Sequence, residues 1–218
     1  RALHRAVKLL RPMRSGRTDV PFAHNPACRQ RSRNLSSRDT FMSQSKINVP
    51  YADTFWVVPN QFLAGEHPTE HDEASTIARL NALLDAGIRT FIDLTEEQEM
   101  KGYYRLLLTE AGSRRIAITF LRIPIPDRGV PLVWTLSCIL DMIDRSVTAT
   151  NPVFVHCFAG IGRTGTVVGC YLRRHGLATP RNVIGKIAEL RQRMPSGIES
   201  SPHTPEQVWM VENWKEGV

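Results

Sequence analysis

The sequence predicts an α/β fold, a central, largely parallel twisted sheet with helices on both faces. Three observations carry this expectation. From Tyr51 onward, short apolar runs alternate with longer segments of helical period. Val153-Phe154-Val155 is continuously apolar and β-branched or aromatic, which suits a strand buried on both faces. A chain of 218 residues with 42% hydrophobic content can bury one sizeable core, so one domain with an appendage is expected.

Taken in order, residues 55–58 and 62–65 read as edge strands. Thr69 is placed to cap a helix that runs to about Asp85, where Gly87 stops it. Residues 89–94, with Phe91 and Ile92 at their centre, and residues 118–123 read as strands. Residues 131–147 have the apolar spacing of an amphipathic helix. Within it, Asp141 and Asp144 read as the solvated face. A strand at 152–156 follows, then helices at 164–175, 180–194 with Thr179 as cap, and 205–214.

Between the strand at 152–156 and the next helix lies His156-Cys157-Phe158-Ala159-Gly160-Ile161-Gly162-Arg163-Thr164-Gly165. Backbone N–H groups of a tight loop that opens a helix converge on one point and favour an anion there. The same field favours a thiolate over a thiol at Cys157. Arg163 offers a planar fork of donors that matches two phosphate oxygens at once. A lone buried cysteine is more simply a small hydrophobe, and a lone Gly-x-Gly a turn. It is the conjunction within ten residues that points to a phosphate cradle with a nucleophile at its centre.

This loop resembles the signature His-Cys-x-x-Gly-x-x-Arg-(Ser/Thr) of the cysteine-dependent protein phosphatases, and its 159–165 portion is similar to the form found in tyrosine-specific members. The likeness extends over about residues 55–214 and points to the compact dual-specificity and bacterial-type branches. It implies a protein-tyrosine-phosphatase-like fold, a phosphocysteine route without metal or other cofactor, Cys157 as nucleophile, Arg163 as phosphate clamp, and Phe158 to Gly162 as the phosphate-binding loop. It also implies that His156 is a structural support. That agrees with strand geometry, because neighbouring strand side chains point to opposite faces and the imidazole should not meet Cys157 directly.

Three further residues have two readings each. Asp127 lies in Ile123-Pro124-Ile125-Pro126-Asp127-Arg128-Gly129-Val130-Pro131. By position it is a turn aspartate that caps the next helix or a general acid; the resemblance assigns it as proton donor and then base. Thr164 either caps its helix or, by the resemblance, donates to the sulfur as it leaves. Gln207, in Thr204-Pro205-Glu206-Gln207, fits a capping box, and the resemblance offers it as the residue that orients the hydrolytic water. Cys170 could bridge an oxidised Cys157, but its apolar helix favours core packing.

Phe158 and Ile161 put no cation in the loop, whereas the family's inositide branch tends to carry lysines there. Phosphotyrosine in proteins, with phosphoserine or phosphothreonine in addition, is therefore the expected substrate. A phosphoinositide substrate and a catalytically silent phosphate-binding module are the alternatives. Sulfur transfer and arsenate reduction fit less well, since no resolving thiol pair is evident.

The net charge of +7 is unevenly placed. Residues 1–45 carry ten Arg or Lys against two Asp, which leaves the remainder close to neutral. The domain at 46–218 thus gives no reason to expect nucleic acid or an anionic membrane as partner; a phosphorylated protein is the partner expected. The leader is expected to be disordered. It superficially fits an organelle-targeting peptide, but a natural start at Met42 is the preferred reading. No apolar run approaches the length of a membrane span. Cys28, Cys138, Cys157 and Cys170 show no paired or metal-binding spacing, which predicts free thiols and a cytoplasmic setting.

Overall fold

The computed structural model describes residues 48–99, 102–215 and 217. The expected disordered leader at 1–45, including Cys28, lies outside them. Five strands form one sheet: β1 (Thr54–Val58), β2 (Phe62–Gly65), β3 (Thr90–Asp93), β4 (Thr119–Arg122) and β5 (Val153–His156). Their spatial order is β1-β2-β5-β3-β4. β1 runs antiparallel to β2 through a short turn, and every other pairing is parallel. β2 is therefore an interior strand and not the edge strand its sequence predicts. All four of its residues are buried, because β5 occupies its second side.

β5 holds the centre, and its alternation assigns side chains to two cores. Val153 and Val155 face a core built with α3 (Val133–Thr148), α4 (Gly162–Arg174), α5 (Val183–Arg191) and α6 (Pro205–Asn213). Phe154 faces the opposite core, closed by α1 (Glu73–Asp85) and α2 (Tyr104–Ser113). Continuing the alternation sends His156 toward the α2 side and Cys157 toward the α4 side, so the two functional neighbours diverge as expected.

Several boundaries differ from expectation for local reasons. α1 is capped by Asp72, whose carboxylate accepts from the Ser75 N–H at 2.8 Å, and not by Thr69. The helix does stop at Gly87, which has φ +86°. α2 was not anticipated. Its Leu106-Leu107-Leu108 run has no clear period, and only Leu107 and Ala111 are buried. α5 is shorter than predicted and begins after Asn182, whose side-chain oxygen accepts from the Thr179 N–H at 2.7 Å and closes a preceding turn. Asp141 and Asp144 do more than face solvent: Asp141 pairs with Arg174, and Asp144 pairs with both Arg174 and His175, tying α3 to α4.

Candidate active site

The loop leaves β5 at Cys157 and enters α4 at Gly162. Its path depends on Gly160, which has φ +69° and lies so close to β2 that a Cβ there would fall 2.4 Å from the Gly65 carbonyl carbon. Behind the loop, the Ser201 hydroxyl donates to the Ile161 carbonyl at 2.7 Å, and a Cβ at Gly165 would fall 2.2 Å from Ser201 Oγ. The His67 N–H donates to the Phe158 carbonyl at 3.0 Å. The loop is thus held from β2, from the segment after β2 and from the segment before α6.

A cavity of about 240 Å³ opens over it. Cys157, Phe158, Ala159, Ile161, Gly162 and Arg163 form its floor, and Asp127, Arg128, Glu199 and His203 form its walls. Cys157 is buried yet reaches this cavity, and Phe158 stands half exposed on its rim. The structure therefore brings Cys157, Arg163 and Asp127 to one place. Thr164 and Gln207 lie behind the floor, both fully buried.

Arg163 is only 2% exposed. Its Nη1 donates to Glu99 Oε2 at 2.6 Å and to the Ile125 carbonyl at 3.1 Å. Its Nη2 donates to Glu99 Oε1 and lies 3.1 Å from Asp127 Oδ1. Burial opposes the Arg163 charge, but the Glu99 hydrogen bonds and the charges of Cys157, Glu99 and Asp127 hold its pKa above the ordinary value. In return, the hydrogen bonds from Arg163 hold the Glu99 carboxyl below its usual range. Glu99 is the site residue that sequence reasoning missed. It sits in the acidic stretch Glu96-Glu97-Gln98-Glu99, which reads as an ordinary solvated turn.

Among the described residues Thr164 Oγ1 is buried without a hydrogen-bond partner. It does not cap α4, whose N-cap position is Ile161 and has no side-chain bond. Gln207 does complete the predicted capping box with Thr204. Its Oε1 accepts from the His203 and Thr204 N–H groups, both at 3.1 Å, and its Nε2 donates to the Gly129 carbonyl at 2.8 Å. The amide also lies against Gly162. One side chain thereby links α6, the loop under the phosphate position and the segment that carries Asp127. Cys170 is buried in the core, where burial pushes its thiol pKa up.

His156 anchors a buried polar group beneath the loop. The Cys157 carbonyl can only accept, so His156 Nδ1 donates to it at 3.3 Å and Nε2 accepts from the Tyr103 hydroxyl at 2.7 Å. By the same reasoning His67 Nδ1 accepts from the Thr69 N–H at 3.2 Å, which puts the proton on Nε2. Both rings are neutral. Burial lowers the His156 pKa, and burial together with His156 lowers that of His67 to about 3. Asp93 lies beside them and accepts from the Thr95 hydroxyl at 2.6 Å, the Thr95 N–H at 2.9 Å and Arg122 Nε at 2.9 Å. His67, Asp93 and His156 bring donor atoms within 4.8 Å of one another. Thr95 and Arg122 already engage both carboxylate oxygens, so the group reads as a support for the loop.

A parallel strand that delivers a cysteine into a loop closed by a buried arginine, with an aspartate across the cavity, defines the class of cysteine-dependent phosphatases. The family model described as the DSP-PTPase phosphatase domain of Swiss Army Knife proteins matches residues 52–205, and the chain belongs to that family. Dual specificity protein phosphatase CDC14B of Mus musculus is 28% identical over 176 residues, covering 76% of this chain and 32% of that protein. Protein tyrosine phosphatase domain-containing protein 1 of Mus musculus is 30% identical over 154 residues, 66% of this chain and 20% of that protein. The chain thus spans a third or less of the length of these two relatives. Among solved structures, Tk-PTP in its active form superposes with a TM-score of 0.59 at 21% identity, covering 77% of this chain and 99% of its own, and shares the fold. The resemblance read from the loop is thereby borne out: this is a phosphatase domain. Among the described residues no helix is long and apolar enough to cross a membrane.

Proposed function

We propose that the protein hydrolyses phosphomonoesters on proteins, phosphotyrosine above all, through a phosphocysteine intermediate and without a metal. The observation that carries this reading is the convergence of Cys157, Arg163 and Asp127 on one cavity, with Arg163 Nη2 3.1 Å from Asp127. The Cys157 thiolate attacks phosphorus in line. Arg163 and the loop N–H groups stabilise the charge on the equatorial oxygens, and Asp127 gives its proton to the leaving oxygen. In the second step Asp127 takes a proton from the attacking water, the phosphorus–sulfur bond breaks, and phosphate leaves. The Thr164 hydroxyl, unpartnered among the described residues, is available to donate to the departing sulfur. The side chain of Gln207 is occupied by backbone groups, so its proposed role is to hold the Asp127 segment over the cavity.

A phosphorylated inositol is the second reading. One structural neighbour is PTPMT1 in complex with PI(5)P, at 20% identity and a TM-score of 0.56. Another is the PP-IP phosphatase SIW14 of S. cerevisiae, at 15% identity and a TM-score of 0.55. The uncharged Phe158, Ala159 and Ile161 in the loop favour the protein substrate.

Turnover of an aryl phosphate by the full chain should persist in excess EDTA and disappear in Cys157→Ser. Asp127→Asn should cost about a hundredfold or more on a poor leaving group and far less on a good one. Loss of turnover in chelator would contradict the metal-free route. A fully active Asp127→Asn on the poor leaving group would remove Asp127 from the acid role.

A further inference from the structure

The wall of the catalytic cavity holds one cation that the reaction does not use. Arg128 occupies the third position of the turn from Pro126 to Gly129, which is closed by the Gly129 N–H donating to the Pro126 carbonyl at 2.9 Å. Its φ is +58°, a conformation that glycine adopts freely and that strains a residue with a side chain. The glycine of this turn stands one position later, at Gly129, where φ is not positive. Asn60, Arg115 and Thr150 share the left-handed backbone, but Arg128 alone of the four lines the catalytic cavity.

Among the described residues the Arg128 guanidinium has no ion pair and no hydrogen bond. Two carboxylates share its cavity. Asp127 is paired with Arg163, and Glu199 is not paired with Arg128. His203 faces the same space; its backbone N–H is anchored to Gln207 Oε1, and its imidazole is exposed. Arg163 is buried at the floor, where it meets the scissile phosphate in the mechanism above. Arg128, exposed and lining the same cavity, is therefore free to meet a different anion.

We propose that Arg128, together with His203, forms a second anion-binding position at the mouth of the cavity. The preferred substrate is then a phosphopeptide with a second negative group beside the phosphorylated residue, either a carboxylate or another phosphate. A single free guanidinium in a cavity that also holds Glu199 offers charge for one added anion and not for a polyphosphorylated headgroup. The inference rests on the phosphatase reading for what sits on the floor, but its test is a binding ratio and needs no turnover.

Cys157→Ser protein is titrated with phosphotyrosine peptides that carry Gln, Glu or phosphoserine next to the phosphotyrosine. The Glu or phosphoserine peptide should bind about fivefold more tightly than the Gln peptide, by an amount that shrinks as salt rises. A gain with phosphoserine only identifies a second phosphate as the natural group; a gain with both shows that a carboxylate suffices. Adding Arg128→Gly should bring the ratio to about one while the melting temperature holds or rises, because glycine relieves the left-handed backbone. Arg115→Gly, at a left-handed position away from the cavity, should leave the ratio in place. Equal binding of all three peptides, or a ratio that survives Arg128→Gly, overturns the second site. Failure of the wild-type protein to hydrolyse an aryl phosphate would count against the enzymatic reading and leave the binding ratio to stand or fall by itself.

Discussion

In the proposed mechanism Arg163 shows how a single residue is prepared for its ligand. A guanidinium buried to this degree needs its charge and its donors answered, and Glu99, the Ile125 carbonyl and Asp127 answer them. The two bonds to Glu99 fix the plane of the fork before phosphate arrives, which lowers the ordering needed on binding. Glu99→Gln keeps the shape and removes the charge, so Arg163 loses its orientation. A fall in kcat/KM of about tenfold to a hundredfold is expected on an aryl phosphate, with KM and the inhibition constant for vanadate both raised. Parameters within twofold of wild type would show that the Glu99 contact is incidental. Arg163 and Cys157 could be read from the sequence because their chemistry is written in one contiguous loop. Glu99 could not, because its contact exists only once the segment after β3 folds against Arg163, 64 positions further along the chain.

At the scale of elements, the loop rests on a layer of neutral, buried histidines held between β2, β5 and α2. His67 and His156 fold in their uncharged forms, and the unfolded chain protonates both near the ordinary histidine value of about 6.5. Below that value the unfolded state binds more protons than the native state, so stability is greatest above about pH 6.5. It falls as the pH drops toward the folded value of about 3 for His67. Asp93 and Glu99 act in the same direction in the acid range. Burial opposes the Asp93 charge, but the hydrogen bonds from Thr95 and Arg122 outweigh it and hold its carboxyl down, as Arg163 does for Glu99. Urea unfolding between pH 4 and 7 should show stability rising by at least about 1.4 kcal/mol per pH unit up to about pH 6. His67→Asn keeps an acceptor for Thr69 and should reduce that slope; an unchanged slope would mean that His67 is already protonated in the native state. This layer was only half legible. The alternation of β5 predicted which way His156 points, but its partner Tyr103 stands at the head of α2, a helix whose unpatterned leucines concealed it.

Across the whole molecule, topology makes the site. Parallel pairing of β2, β5 and β3 aligns their carboxyl ends, where loops can converge. β5 leads into Cys157, the segment beyond β3 carries Glu99, and the segment beyond β4 carries Asp127 and Arg128. The open, largely parallel sheet was legible because alternating short apolar runs and helical segments leave few other arrangements. The interior place of β2 was not, since strand order depends on partners far along the chain. Ser201, in the segment before α6, and Gln207, in the first turn of α6, then close the arrangement from behind, beneath the loop and beneath the Asp127 segment respectively. In the proposed mechanism the segments after β3, β4 and β5 thus serve a single chemical event, the transfer of phosphoryl to Cys157 and then to water. Rapid mixing of the full chain with a radiolabelled aryl phosphate, quenching in acid and peptide mapping should recover the label on the peptide that contains Cys157, with Asp127→Asn prolonging its lifetime. Steady turnover with no labelled protein, or label on a peptide without Cys157, would contradict the account.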